Sequence, residues 1–236
     1  MKQVLAILAL LVLAFLFAGL VPMASKPGNG AVGDYYATNG IAENRGSNLV
    51  TSIVVNYRGL DTLGEVTVLF LSVMGVGFIL RRREGSPKYS PVPASPILNT
   101  GANLLFGSIL LLGAYIFVHG HLTPGGGFQG GSVIATGVLL LILARRDREL
   151  SHDLLAWLES LSGFGYALVG LVGLWVAGSF LANKGVLPLG TWNRLFSAGV
   201  IPIIYILIGL KVGAELSTLL DIMIREPEPA AEGGGH

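Results

Sequence analysis

Apolar and polar residues in this chain come in blocks rather than in alternation. Six apolar runs, roughly Val4–Val21, Thr62–Leu80, Gly101–Val118, Gly126–Ala144, Leu161–Ala182 and Leu195–Leu220, reach or approach the length a helix needs to cross a bilayer, about 20 residues. A run that is apolar all round leaves no side for water, so each predicts a membrane span. The fourth is the weakest. Only Ser132–Ala144 is solidly apolar, so this span has to draw length from the glycines before it. The first begins with Lys2 ahead of an apolar core, as a signal peptide would. Its run is longer than the usual signal core and Val21–Ala24 is a poor cleavage site, so a retained span is expected.

The polar blocks divide the spans unequally. Pro22–Leu60 is long and polar, with one amphipathic stretch, "NLVTSIVVNYR", expected to lie in the membrane interface or to pack on the helix tops. Arg81–Asn99 holds Pro87, Pro91, Pro93 and Pro96, which favour extended backbone. It is longer than neighbouring helices need between them. The pattern predicts an all-α polytopic membrane protein of about six transmembrane helices in two modules. A two-helix module occupies 1–83, a Pro-rich cytoplasmic linker 84–98, a four-helix module 99–224, and a disordered tail 225–236.

Composition sharpens this reading. Of 236 residues, 52% are hydrophobic and 12% charged, against about 25% charged in a soluble domain. A net charge of +1 leaves no basic surface for nucleic acid. The absence of cysteine removes disulfides, thiolate metal sites and iron–sulfur ligation, so no cofactor is expected in this chain. Its 34 glycines predict close helix–helix approach in lipid. With both termini inside, Lys2, Arg81, Arg82, Arg83, Lys88, Arg145, Arg146, Arg148 and Arg225 face the cytoplasm, against Lys26, Arg45, Arg58, Lys184 and Arg194 outside. That asymmetry suits a multi-pass protein of the cytoplasmic membrane.

Candidate chemistry starts with charges inside spans. A carboxylate in hydrocarbon costs at least about 2.5–3.5 kcal/mol. Glu65 stands one turn inside the second span, and Asp61, four residues earlier, shares its helix face. The two carboxylates could share a proton, hold a cation such as Na⁺, or sit solvated at the outer interface. Lys211 and Glu215, also four apart, lie deeper in the sixth span, either as an ion pair that eases insertion or as parts of a proton relay. Pro202 could kink that helix.

The stretch "HGHLTPGGGFQGG", His119–Gly131, puts His119 and His121 one residue apart, then Pro124, then five glycines in seven residues. No cysteine or nearby carboxylate completes a metal site, and no Lys-Ser/Thr follows the glycines to cradle phosphate. Two readings remain. The segment is either an outward-facing re-entrant turn beside the second helix, with glycine carbonyls and titrating imidazoles along a hydrated route, or a compact packed turn.

The motif "GHLTPGGGFQGG" and its apolar sequel resemble the MnhB-type subunit of the Mrp-type multisubunit Na⁺/H⁺ antiporters, a module also found in archaeal membrane-bound respiratory complexes. The likeness runs from "NTGANLLFGSILLLGAYIFVHGHLTPGGGFQGGSVIATGVLLLIL" to about Asp221. "VNYRGLDTLGEVTVLFLSVMGVGFIL" is similar to the carboxy-terminal tail of the large subunit of the same antiporters, the match falling on Arg58, Gly59, Asp61, Thr62, Gly64 and Glu65. The chain thus resembles a fusion of the two.

The resemblance implies a non-enzymatic membrane subunit without catalytic residues, working beside the other membrane subunits of an antiporter module or with a hydrogenase-like or other redox module. Na⁺ and H⁺ would be the ions moved. Glu65 is the first residue the resemblance carries over for ion handling, then His121 and Pro124; Lys211 and Glu215 match less regular family patterns. Two other classes compete: a scaffold without ion contact, and a membrane enzyme using His119 and His121 as acid–base groups. The second lacks a nucleophile or carboxylate beside the imidazoles.

Overall fold

The computed structural model describes residues 30–80, 94–145 and 150–224, together with Ile7, Leu11 and Phe15. Most of the first apolar run, positions 81–93 of the Pro-rich stretch and the tail 225–236 lie outside the described residues. The elements are α1 (Ala31–Asn44), a short α2 (Leu49–Thr51) that continues as a π-helical turn (Ser52–Tyr57), α3 (Gly59–Leu80), α4 (Pro96–Val118), α5 (Gly127–Ala144), α6 (His152–Ala177) and α7 (Ile201–Ile224). Five of these, α3 to α7, are long and apolar enough to cross a membrane. They answer to five of the six expected spans, and the protein is all-α and polytopic.

Helix ends follow local chemistry more closely than they follow hydropathy. Ser95 accepts from the Leu98 N–H and Pro96 takes the first helical position, where a missing N–H costs nothing. Residues 96–99, expected in the extended linker, are therefore the first turn of α4. Ser151 caps α6 in the same way through the Leu154 N–H, so this helix starts well before Leu161. It stops at Gly178, which adopts the left-handed conformation at φ 73°, and residues 178–182 leave the helix. The sixth span begins at Ile201 instead of Leu195, because Asn193, Ala198 and Gly199 all have positive φ and cannot sit in a helix. Pro202 then falls in the first turn of α7, where no intrahelical hydrogen bond is lost, so the expected kink has no cause.

The chain forms two compact units, residues 1–39 and 40–236. In the first, Thr38 Oγ1 donates to the Asp34 carbonyl at 2.8 Å and Asn39 Nδ2 to that of Tyr35 at 3.0 Å. In the second, α7 is the hub and packs against α3, α4, α5 and α6. It is 56% buried over its apolar window, whereas the next most enclosed span, α5, reaches 39%. Ile201, Ile204, Tyr205, Ile208 and Val212 of α7 make up half of the buried core, with Val55, Val66, Tyr166, Leu181 and Ala198 around them.

Glycine sets the helix spacing here. A Cβ on Gly131 would lie 2.8 Å from the Gly209 carbonyl oxygen and 2.9 Å from the Gly213 nitrogen, so α5 and α7 touch backbone to backbone. On its next face, a Cβ on Gly130 would lie 2.6 Å from the Gly113 carbonyl oxygen of α4. Gly127, Gly130 and Gly131 thus belong to the helix, and the fourth span does take its length from the glycine-rich motif. In lipid, where burial of apolar surface between helices drives nothing, such contact is a main source of association.

Candidate functional site

The turn between α4 and α5, residues 119–126, is held from outside. Asn48 Nδ2 donates to the carbonyls of Gly120 at 2.9 Å and Thr123 at 3.1 Å, and the Asn48 N–H to that of His121 at 3.1 Å. Thr51 Oγ1 adds a second donor to Gly120 O at 2.7 Å, and Tyr205 Oη of α7 donates to Thr51 Oγ1 at 3.0 Å. "NLVTSIVVNYR", capped by Asn48, packs on the helix tops, with Thr51, Ser52 and Val55 buried. Three carbonyls of the turn, those of Gly120, His121 and Thr123, therefore accept from residues 48–51. A second asparagine cluster continues the cap: Asn44 Oδ1 accepts from Asn56 at 2.9 Å and from Asn183 at 3.0 Å, and Asn183 Oδ1 accepts from the Val200 N–H at 2.9 Å.

The two imidazoles of the turn have different surroundings. His119, partly exposed, stacks on the Tyr115 ring with centroids 4.3 Å apart. His121 is fully buried, and neither ring nitrogen has a well-formed hydrogen bond among the described residues. Burial holds its pKa below the usual histidine range, against the nearby carbonyls of Arg194, Leu195 and Val118, which favour the charged form without forming good hydrogen bonds. His119 adds a small repulsion. Pro124 is exposed at the turn's edge.

On α3 the two acids separate in role. Asp61 Oδ2 is bound by Arg58 through Nε at 2.6 Å and Nη2 at 2.5 Å, an exposed pair at the helix start. The carboxylates are not joined to each other by a hydrogen bond among the described residues. Glu65 lies one turn further in and is exposed on the outer face of α3. It remains within electrostatic reach of Tyr166 on α6, whose hydroxyl donates to the Gly59 carbonyl at 2.8 Å.

Lys211 and Glu215 do pair. Lys211 Nζ is 2.6 Å from Glu215 Oε1, and the Glu215 side chain has no solvent exposure. Oε2 is buried with no hydrogen-bond partner among the described residues. The ammonium sits 5.2 Å from the centre of the Phe70 ring of α3, beside Gly163 of α6. The sequence reading missed what lies beyond. Glu159 of α6 is within electrostatic reach of Glu215, and His152 Nε2 is 3.3 Å from Asp221 Oδ2 where α6 starts and α7 ends. In sequence, Glu159 and Asp221 sit at the margins of apolar runs, where a charge reads as solvated.

Among the described residues, no group of three or more His, Cys, Asp or Glu is placed to hold a metal ion. Comparison with known proteins adds the following. Residues 97–218 match the family described as a domain related to the MnhB subunit of Na⁺/H⁺ antiporter, and residues 2–94 match the MbhE family, a constituent of MBH. The two matches meet at the end of the Pro-rich stretch. The membrane-bound sulfane sulfur reductase, an archaeal respiratory membrane complex, contains a chain 45% identical to this one. The superposition has a TM-score of 0.76 and covers 95% of this chain and 99% of that one. A chain of the Mrp complex from Dietzia sp. DQ12-45-1b is 26% identical with a TM-score of 0.66, and this chain spans only 27% of its length. An uncharacterized protein of Methanocaldococcus jannaschii is 31% identical over 223 residues, 84% of this chain and 82% of its own length.

Proposed function

The chain belongs to the MnhB-related family of Na⁺/H⁺ antiporter subunits, and from that premise we propose that it forms, together with partner membrane subunits, part of an ion route at their interface. It is a multi-pass membrane subunit of an antiporter-type complex. Its own contribution is transport rather than catalysis, and any redox step belongs to partner subunits.

Glu65 carries the reading. Its carboxylate is exposed on the face of a helix apolar enough to cross the membrane. Facing lipid, it would cost at least about 2.5–3.5 kcal/mol. A partner subunit covering that face of α3 removes the penalty and turns the carboxylate into a group between two chains, able to take a proton or a Na⁺. The turn 119–126 has a different part in this reading. With its carbonyls engaged by Asn48 and Thr51, it acts as a clasp that fixes α4, α5 and α7 around that interface. His121 is the buried imidazole of the turn, while His119 and Pro124 lie at its edge.

The test is Glu65→Gln in the assembled complex in membrane vesicles. Subunit stoichiometry should be unchanged and Na⁺-driven proton movement should fall by about a hundredfold, as when a positioned proton-transfer group is lost. Transport at the wild-type rate would remove Glu65 from the route. Loss of assembly along with transport would favour a scaffold.

A further inference from the structure

Beyond the Glu65 interface, the ionisable side chains along the α6–α7 seam form a series. Lys211 and Glu215 are locked together in the hub, Glu159 lies across from Glu215, and Asp221 meets His152 where the seam reaches the end of the bundle opposite the clasp. On α6, His152, Glu159, Gly163 and Tyr166 are spaced by seven, four and three residues and so share one helix face. On α7, Lys211, Glu215, Thr218 and Asp221 are spaced by four, three and three and stay on one side. These two faces meet each other. Lys211 reaches towards Gly163 at one level, and Asp221 reaches His152 at the other.

An ion pair that merely eased insertion would not require the rest. Lys211 neutralises Glu215, yet Glu215 Oε2 is left buried without a hydrogen bond, and further acids stand between the pair and the helix ends. Glu215 and Asp221, six residues apart, are separated by about 9 Å along the axis, too far for direct transfer. Thr218 stands in that interval on the same face of α7, three residues from each, where its hydroxyl supplies the intermediate step, and Glu159 faces Glu215 from α6. A cation such as Na⁺ is poorly served here, since the Lys211 ammonium already occupies the carboxylate and would repel it. Protons suit a series composed of imidazole, carboxylates and an amine.

We propose that the α6–α7 seam is a proton half-path, entered at His152 and Asp221, relayed by Thr218 and Glu159, and ending on the Lys211–Glu215 pair. A proton taken up at His152 passes by way of Asp221, the Thr218 hydroxyl and Glu159 to Glu215. Once Glu215 is neutral, Lys211 has lost its counter-ion and releases its own proton towards α3; transfer of the Glu215 proton to the neutral amine, 2.6 Å away, then restores the ion pair. One proton enters and one leaves. Phe70 beside the ammonium marks α3 as the helix towards which that proton leaves. The charge asymmetry of the chain puts the entry on the cytoplasmic side.

The proposal rests on the chain's role in an antiporter-type complex but not on Glu65, and the test separates the two. Glu159→Gln, level with the buried pair, and Asp221→Asn, at the seam's end, are made in the full complex beside Glu65→Gln, and proton movement is followed in vesicles. Each seam variant should assemble and lose about a hundredfold in rate, and Glu159→Asp should recover part of the loss, which a packing defect would not. Normal rates in assembled Glu159→Gln and Asp221→Asn complexes overturn the half-path, whatever Glu65→Gln does. A loss confined to the seam variants keeps the half-path and removes Glu65. The wild-type complex gives a second measurement independent of folding. A hydrophobic carbodiimide, which reacts with protonated carboxyls, should modify Glu215; an unmodified Glu215 under conditions of active transport counts against its carrying a proton.

Discussion

His121 shows how one buried side chain couples the clasp to pH. Its imidazole is neutral in the folded protein because burial disfavours the charged form. In the unfolded chain the ring takes up a proton near its ordinary value of 6.5. Stability therefore declines as pH falls below about that value and goes on declining until the lowered folded value is reached; above it the residue contributes no penalty. Thermal unfolding of the complex across this window should show His121→Gln less acid-sensitive than wild type. An identical pH dependence in both would remove His121 from that role. None of this could be read from "HGHL", in which both histidines look alike. Only the packing of Asn48, Thr51 and the 194–195 backbone around one of them makes the distinction.

At the scale of elements, the apolar runs announced five helices and the ends of three of them, at Leu80, Val118 and Ala144, but not the remaining ends. Those depend on Ser95, Ser151 and Gly178, single residues outside or at the margin of a run. α1 was hidden for a related reason: Ala31–Asn44 has no apolar stripe, and its two glycines and polar residues read as loop. The glycine-rich motif was legible as a special place, though its two halves do different work, the first as turn and the second as helix contact. That division yields a prediction. Gly131→Ala puts a methyl against the backbone of α7 and should cost about 1–3 kcal/mol, because neither helix can give way locally. Gly107→Ala, on α4 with nothing of this chain within 4 Å, should be neutral or mildly stabilising. Thermal unfolding of the assembled complex carrying either variant compares them directly. Equal stability would mean that the α5–α7 crossing tolerates separation.

The whole molecule is asymmetric in what it covers. α7 is enclosed, while α3, α4 and α6 present Phe78, Ile97, Leu104, Trp175 and many other large apolar side chains outward, with Glu65 among them. A protein so built should behave poorly alone. Purified without partners, it should aggregate or lose helical protection in detergent, and co-expression with the neighbouring membrane subunits should rescue it. A monodisperse, thermostable monomer by size-exclusion chromatography would contradict this. The need for partners was already visible in the carboxylates written into apolar runs. Which face they take was not, because Asp61 and Glu65 share a helix side yet, among the described residues, only the former is paired with a cation.

The central place of α7 also sets a schedule. The four spans that must pack on it precede it in the chain, so they leave the ribosome first and enter the bilayer with their eventual neighbour not yet made. Gly131 has no Gly209 to touch, and His152 no Asp221 nearby, until α7 arrives. During that interval the translocation machinery or another membrane protein has to shelter them. Maturation is therefore a late, concerted event, and a ribosome stalled before Ile201 would hold the four described spans inserted but not yet a bundle.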